Sequence, residues 1–76
     1  MDVVKDKVVD LLVNNFGLNE EGIKANNSLE KLGVDSIIII EIQLDLEREF
    51  NIKIPDGDVI PDFTVNDISN YIKSRG

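Results

Sequence analysis

The sequence predicts an all-α fold, a small three-to-four-helix bundle with a long loop between its first and second helices. Three observations carry this. Apolar residues recur at helical spacing in three separate stretches. The first two stretches end at Asn and Gly residues, which stop helices. The one run that would suit a strand, Ile37 to Ile40, has no second strand to pair with.

Residues 3–15 read as the first helix. Val4, Val8, Leu11 and Leu12 fall on one face, Asp2 and Asp6 suit its positive end, and Asn14, Asn15 and Gly17 supply the stop. Residues 17–35 read as a long connection pinned by Leu18 and Ile23. Within it, Ser28 to Gly33 forms one short helical turn, with Ser28 as cap, Gly33 as stop, and Leu29 and Leu32 as anchors.

Residues 36–50 read as the second helix. At about 100° per residue, Ile39, Ile42, Leu46 and Phe50 gather on one side, with Gln43 at its edge. Ile37, Ile40 and Leu44 gather opposite, beside Glu41 and Arg48. Asp45, Glu49 and Ile38 lie on one flank and Glu47 on the other. The helix thus has two apolar stripes. A chain this short can bury one, so the second should face water, and exposed apolar surface rimmed by charge marks a partner site.

Asn51 ends that helix, and Pro55 forbids another through the next loop. Asp56 to Ile60 could form one short helical turn before Pro61. Thr64 caps the last helix, with Asp67 completing a capping box. Val65, Ile68, Tyr71 and Ile72 give residues 65–74 their apolar face, and Lys73 and Arg75 complement its negative end.

Length and charge then bound the function. The 76 residues suffice for one domain, residues 1–76, with one small core and no deep walled site. Fifteen acids against eight bases give a net charge of −7. That argues against nucleic acid or an anionic membrane as partner and favours steering toward basic protein surfaces. No stretch is long enough to span a bilayer, and the first residues resemble neither a signal nor a transit peptide. The expectation is a free-standing, cytoplasmic monomer.

The chain has no Cys and no His. Disulfides, thiolate chemistry and His- or Cys-based metal sites are excluded, and a serine nucleophile lacks its usual base. Asp56, Asp58 and Asp62 do not match a calcium loop. The chain does not read as an enzyme. Asp35-Ser36, at the start of the second helix, has two readings. One is ordinary N-capping. The other is a modified hydroxyl, because a phosphate on Ser36 would lie where helix amides and dipole favour an anion.

The run Leu32-Gly33-Val34-Asp35-Ser36-Ile37 resembles the Leu-Gly-x-Asp-Ser-Leu signature of acyl carrier proteins. Glu41-Ile42, Leu46 to Pro55, and Thr64-Val65 with Ile68, Tyr71 and Ile72 extend the resemblance over essentially the whole chain. The resemblance implies a bundle of acyl-carrier type. It implies that Ser36 carries 4′-phosphopantetheine, transferred from coenzyme A by a phosphopantetheinyl transferase using Mg²⁺, and that Asp35 helps present Ser36. The arm's thiol would carry acyl groups as thioesters, so the chain borrows the thiol it lacks. Ile37, Ile38, Ile40, Glu41, Leu44, Glu47 and Arg48 would form the face read by acyl-loading and acyl-processing enzymes with basic docking patches.

There are departures from the family pattern. Ile38 and Arg48 stand where fatty-acid carriers commonly have acids, which leaves the recognition face more apolar and less negative. This implies a specialised carrier, serving fatty-acid, polyketide or related lipid synthesis. The reading from a different class is a small helical adaptor that binds a protein through the apolar face of the second helix, with Ser36 only a cap.

Overall fold

Asp2 sets the start of the first helix. Its carboxylate accepts the Lys5 amide at 3.1 Å, and α1 runs from Val3 to Phe16. The helix ends where the amides of Gly17 and Leu18 fold back onto the carbonyls of Val13 and Leu12, at 3.0 and 3.2 Å. The computed structural model describes residues 2–75. Three further helices follow among these: α2 (Glu20–Lys24), α3 (Ser36–Phe50) and α4 (Val65–Arg75). No described residue lies in a strand.

The three long helices lie where their periodicity predicts, to within one residue at an end. The expected positions fill the core. Val8, Leu11 and Leu12 of α1 meet Ile39, Ile42 and Leu46 of α3 and Val65, Ile68 and Ile72 of α4. α1 is the hub, packing most extensively on α4 and also on α3 and α2.

α2 corrects the reading of the stretch before Ser28 as a connection pinned only by Leu18 and Ile23. Asn19 caps it by accepting the Gly22 amide at 2.9 Å, and Glu20 and Glu21 occupy its positive first turn. The capping signals are local, yet five residues are too few to form a helix on propensity alone. Packing supplies the rest. Ile23 is fully buried, and Gly22 lies so close to Leu32 that a β-carbon there would sit 2.8 Å from its side chain. A residue that weakens helices is used where the backbone must pass close to a neighbour.

The second correction concerns Asp56 to Ile60. No helix forms there. Pro55 and Pro61 bracket the segment, and Gly57 has φ +91°, which a helical turn does not allow. The turn at Ser28–Gly33 does form. Ser28 Oγ accepts the Lys31 amide at 3.2 Å, and the Leu32 amide reaches the Ser28 carbonyl at 3.0 Å.

The two long loops are stitched to each other and to α3. The amides of Leu29 and Glu30 donate to the carbonyls of Phe63 and Pro61, at 2.8 and 3.0 Å. Gln43, buried in α3, donates from Nε2 to the Ile54 carbonyl at 3.0 Å and to Asp56 Oδ1 at 2.9 Å. Tyr71 of α4 donates its hydroxyl to Asp58 at 2.5 Å, and Arg75 stacks over the Tyr71 ring. Burial and the acceptor Asp58 raise the Tyr71 pKa. From the same last turn of α4, Lys73 pairs with Asp2, the N-cap of α1, at 2.5 Å.

Replacing Gln43 by Leu should remove the donor from a buried carbonyl and lower the unfolding free energy by about 1–3 kcal/mol. Urea denaturation measures this, with the exposed Asn70→Ala as a control expected within about 0.5 kcal/mol of the parent. A Gln43→Leu variant as stable as the parent would remove the clamp from the account.

The Lys73 hydrogen bond, followed by the Lys5 amide, lowers the Asp2 pKa. A carboxylate lowered in the folded state stabilises above its unfolded pKa, and that contribution is lost as pH falls through the folded value. Asp2→Asn should therefore be less stable than the parent at neutral pH. The gap should close on acidification below the ordinary carboxylate range. Urea midpoints at both pH values check this, and a gap that persists in acid would contradict it.

Candidate functional site

The site begins with an anchor. Leu29 and Val34 are buried at the two ends of the turn that precedes α3. The Val34 amide donates to the Leu29 carbonyl at 3.0 Å and closes the loop on itself. Between them Gly33 takes φ +87°, the left-handed conformation that glycine adopts without strain. The chain therefore arrives at α3 in a fixed direction.

Asp35 is the N-cap. Its backbone is extended, and its Oδ1 accepts the Ile38 amide at 2.9 Å. Ser36 is the first helical residue and is exposed. Cap and hydroxyl are thus separate residues. Asp35 satisfies the helix start, and the Ser36 hydroxyl is left for other chemistry. The Ser36 and Ile37 amides donate to no protein group among the described residues. The first turn of α3 holds no acid. An anion esterified to Ser36 would meet two free amides and the positive end of a fifteen-residue helix, with the neighbouring Asp35 carboxylate held by the Ile38 amide. The chemistry fits a phosphodiester.

Away from Ser36 the second stripe of α3 is displayed as its angles predict. Ile37, Ile40 and Leu44 are 68%, 54% and 50% exposed, while Ile39, Ile42, Gln43 and Leu46 are buried. Glu41 and Arg48 are exposed beside this stripe.

Two of the seven expected face residues are partly drawn into the fold. Ile38 is half-buried and packs against the core, because its flank position turns it away from the stripe. Glu47 is half-buried, and its Oε2 accepts the Ile54 amide at 2.8 Å. It holds the loop after α3 while its edge still reaches the surface. Arg48 pairs with Asp45 one turn back, and Asn15 of α1 donates to the other oxygen of Asp45 at 3.3 Å.

A helical wheel stops at Asn51, so it misses what the loop adds. Asn51 takes φ +54° and turns the chain back along the helix. Ile52 and Lys53 then meet Leu44, Glu47 and Arg48 around an open groove of about 420 Å³. The only sequence signal was Asn51 itself, a residue that tolerates the left-handed conformation.

The sequence also contains one Ser-x-x-Lys spacing, Ser28 to Lys31. The Ser28 hydroxyl is spent on capping the Lys31 amide, a turn contact.

Comparison with known proteins agrees with this geometry. Residues 6–72 match the family model described as the phosphopantetheine attachment site. The chain is 39% identical over 73 residues to the acyl carrier protein of Chlorobium phaeovibrioides, covering 95% of this chain and 94% of the relative. It is 37% identical over 74 residues to that of Clostridium acetobutylicum, covering 96% of each. It is 35% identical over 74 residues to that of Bdellovibrio bacteriovorus, covering 96% of this chain and 95% of the relative. A helical bundle, an exposed hydroxyl at a helix start suited to a phosphodiester, and matches over nearly the full length converge: the chain belongs to the acyl carrier family, whose role is that of a carrier and whose prosthetic group is 4′-phosphopantetheine.

Proposed function

We propose that Ser36 is the attachment point and that the chain presents acyl intermediates to enzymes of fatty-acid, polyketide or related lipid synthesis. The observation that carries this is the division of labour at the start of α3. Asp35 caps the helix, so Ser36 is exposed and uncommitted at its positive end.

The chain's own part in the modification is positional. The Ser36 Oγ bonds to the phosphorus nearer the pantetheine of coenzyme A. The P–O bond between the two phosphates breaks, and adenosine 3′,5′-bisphosphate leaves with the electron pair. With no His or Cys in the chain, the Ser36 proton passes to a base on the transferase. The transferase, with its Mg²⁺, also neutralises charge on the leaving group. When attached, the group supplies a thiol on a long arm, which holds acyl groups as thioesters. The amides of Ser36 and Ile37 would hold its phosphodiester.

The exposed stripe from Ile37 to Leu44 gives partner enzymes an apolar surface adjoining the attachment point. The net charge of −7 steers basic docking patches toward the chain as a whole. These features support a carrier that recruits its loading and processing enzymes through this face.

Incubation with coenzyme A, Mg²⁺ and a promiscuous phosphopantetheinyl transferase should add the mass of one phosphopantetheine group to the folded protein. Ser36→Ala should add none. Unchanged mass of the parent would leave the adaptor reading in possession, and a gain that survives in Ser36→Ala would move the site elsewhere.

Asp35→Ala should cost about 1 kcal/mol of stability through the lost cap, whereas Asp35→Asn should keep most of it. If Asp35 acts by fixing the helix start, modification should slow in Asp35→Ala and be largely retained in Asp35→Asn. Equal slowing in both variants would show instead that the transferase reads the carboxylate charge.

A further inference from the structure

The groove beyond the apolar stripe differs in charge from the rest of the molecule. The chain as a whole is strongly acidic. Around the groove stand two cations, Arg48 and Lys53, and one acid, Glu47. Glu47 is half-buried and engaged by the loop, its Oε2 accepting the Ile54 amide. Lys53 is exposed and makes no ion pair or side-chain hydrogen bond among the described residues. Arg48 is paired with Asp45, but its side chain is 78% exposed and a guanidinium has five N–H donors. Leu44 and Ile52 supply the apolar part of the lining.

The groove is continuous with the displayed stripe. Ser36, Ile37, Ile40, Leu44 and Arg48 follow one another along α3, and Leu44 belongs to both stripe and groove. Twelve residues at 1.5 Å rise place Arg48 about 18 Å from Ser36. Of the exposed charges on this face, the acids Asp35 and Glu41 lie toward Ser36 and the cations Arg48 and Lys53 lie at the far end, beside the half-buried Glu47. The face is therefore electrically polar along its length.

Resting on the carrier reading above, we propose that this groove docks a partner-enzyme segment that presents a carboxylate beside an apolar side chain. The carboxylate bridges Arg48 and Lys53, and the apolar group lies against Leu44 and Ile52. A matching partner carries basic residues near its active-site entrance and an acid about 18 Å away. Charge complementarity then fixes the direction in which α3 lies on the partner. An enzyme with a uniformly basic patch is repelled at the far end, since like charges brought together suppress the wrong partner.

The test uses the phosphopantetheine-loaded protein, with loading verified by mass. The probes are an acyl-processing enzyme with a uniformly basic docking patch and its variant with the bases facing the groove reversed to Glu. The parent chain should show about a tenfold higher KM than Arg48→Glu/Lys53→Glu on the basic enzyme, with kcat unchanged. On the reversed enzyme the order should invert, and added salt should narrow both differences. Arg48→Gln/Lys53→Gln, which adds no acid to an acidic chain, should fall between the two on each enzyme.

KM values within twofold across all pairings would overturn the inference and leave the carrier reading intact. A dimer that dissociates in Arg48→Glu/Lys53→Glu, seen by sedimentation, would overturn it in favour of a second copy of this chain. A parent chain that takes up no phosphopantetheine would overturn the carrier reading and this inference together.

Discussion

A helix with apolar residues on two sides can bury only one of them against a core this small. α3 is that helix, and most of the molecule follows from how the conflict is resolved. Ile39, Ile42 and Leu46 go inward, where each fully buried aliphatic side chain contributes about 1.5–3 kcal/mol. Ile37, Ile40 and Leu44 are left outside, and Ser36 adjoins them at the helix start. The same rotation that closes the core displays the stripe, so foldability and partner surface are set by one angle.

Holding α3 at that angle falls to two loops without regular structure. Loops of this length in a small domain would leave polar backbone groups exposed or unsatisfied. Here they bond to each other through Leu29 and Glu30 with Phe63 and Pro61, and to α3 through Gln43 and Glu47. No buried side-chain nitrogen or oxygen among the described residues lacks a partner. Buried Leu29 and Val34 tie the first loop to the core, and Asp35 finishes the work by capping α3. Ser36 is thus presented from an anchored loop and carries no cap duty.

The electrostatic design is layered. Net negative charge acts at long range and is screened by salt. Capping carboxylates at Asp2, Asn19's amide oxygen and Asp35 act at single helix starts. Arg48 and Lys53 put exposed positive charge beside the half-buried Glu47 at the far end of the displayed face. Surface ion pairs such as Lys24 with Glu20 contribute little stability, so these charges matter more for encounter and orientation than for folding.

Periodicity, caps and stops in the sequence determined the three long helices, the turn at Ser28 and the division of α3 into buried and displayed stripes. These rest on interactions between residues three and four apart, which a single chain segment contains. The Leu32 to Ile37 run was equally legible, because its turn, cap and hydroxyl are consecutive. Tertiary structure decided the rest. α2 exists because Ile23 has a core to enter and Gly22 a neighbour to pass closely. Ile38 and Glu47 turn partly inward because of what lies beside α3, and the groove exists because Asn51 folds Ile52 and Lys53 back onto the helix. In each case the deciding partner lies outside the local helical repeat, where spacing along the chain carries no information about it.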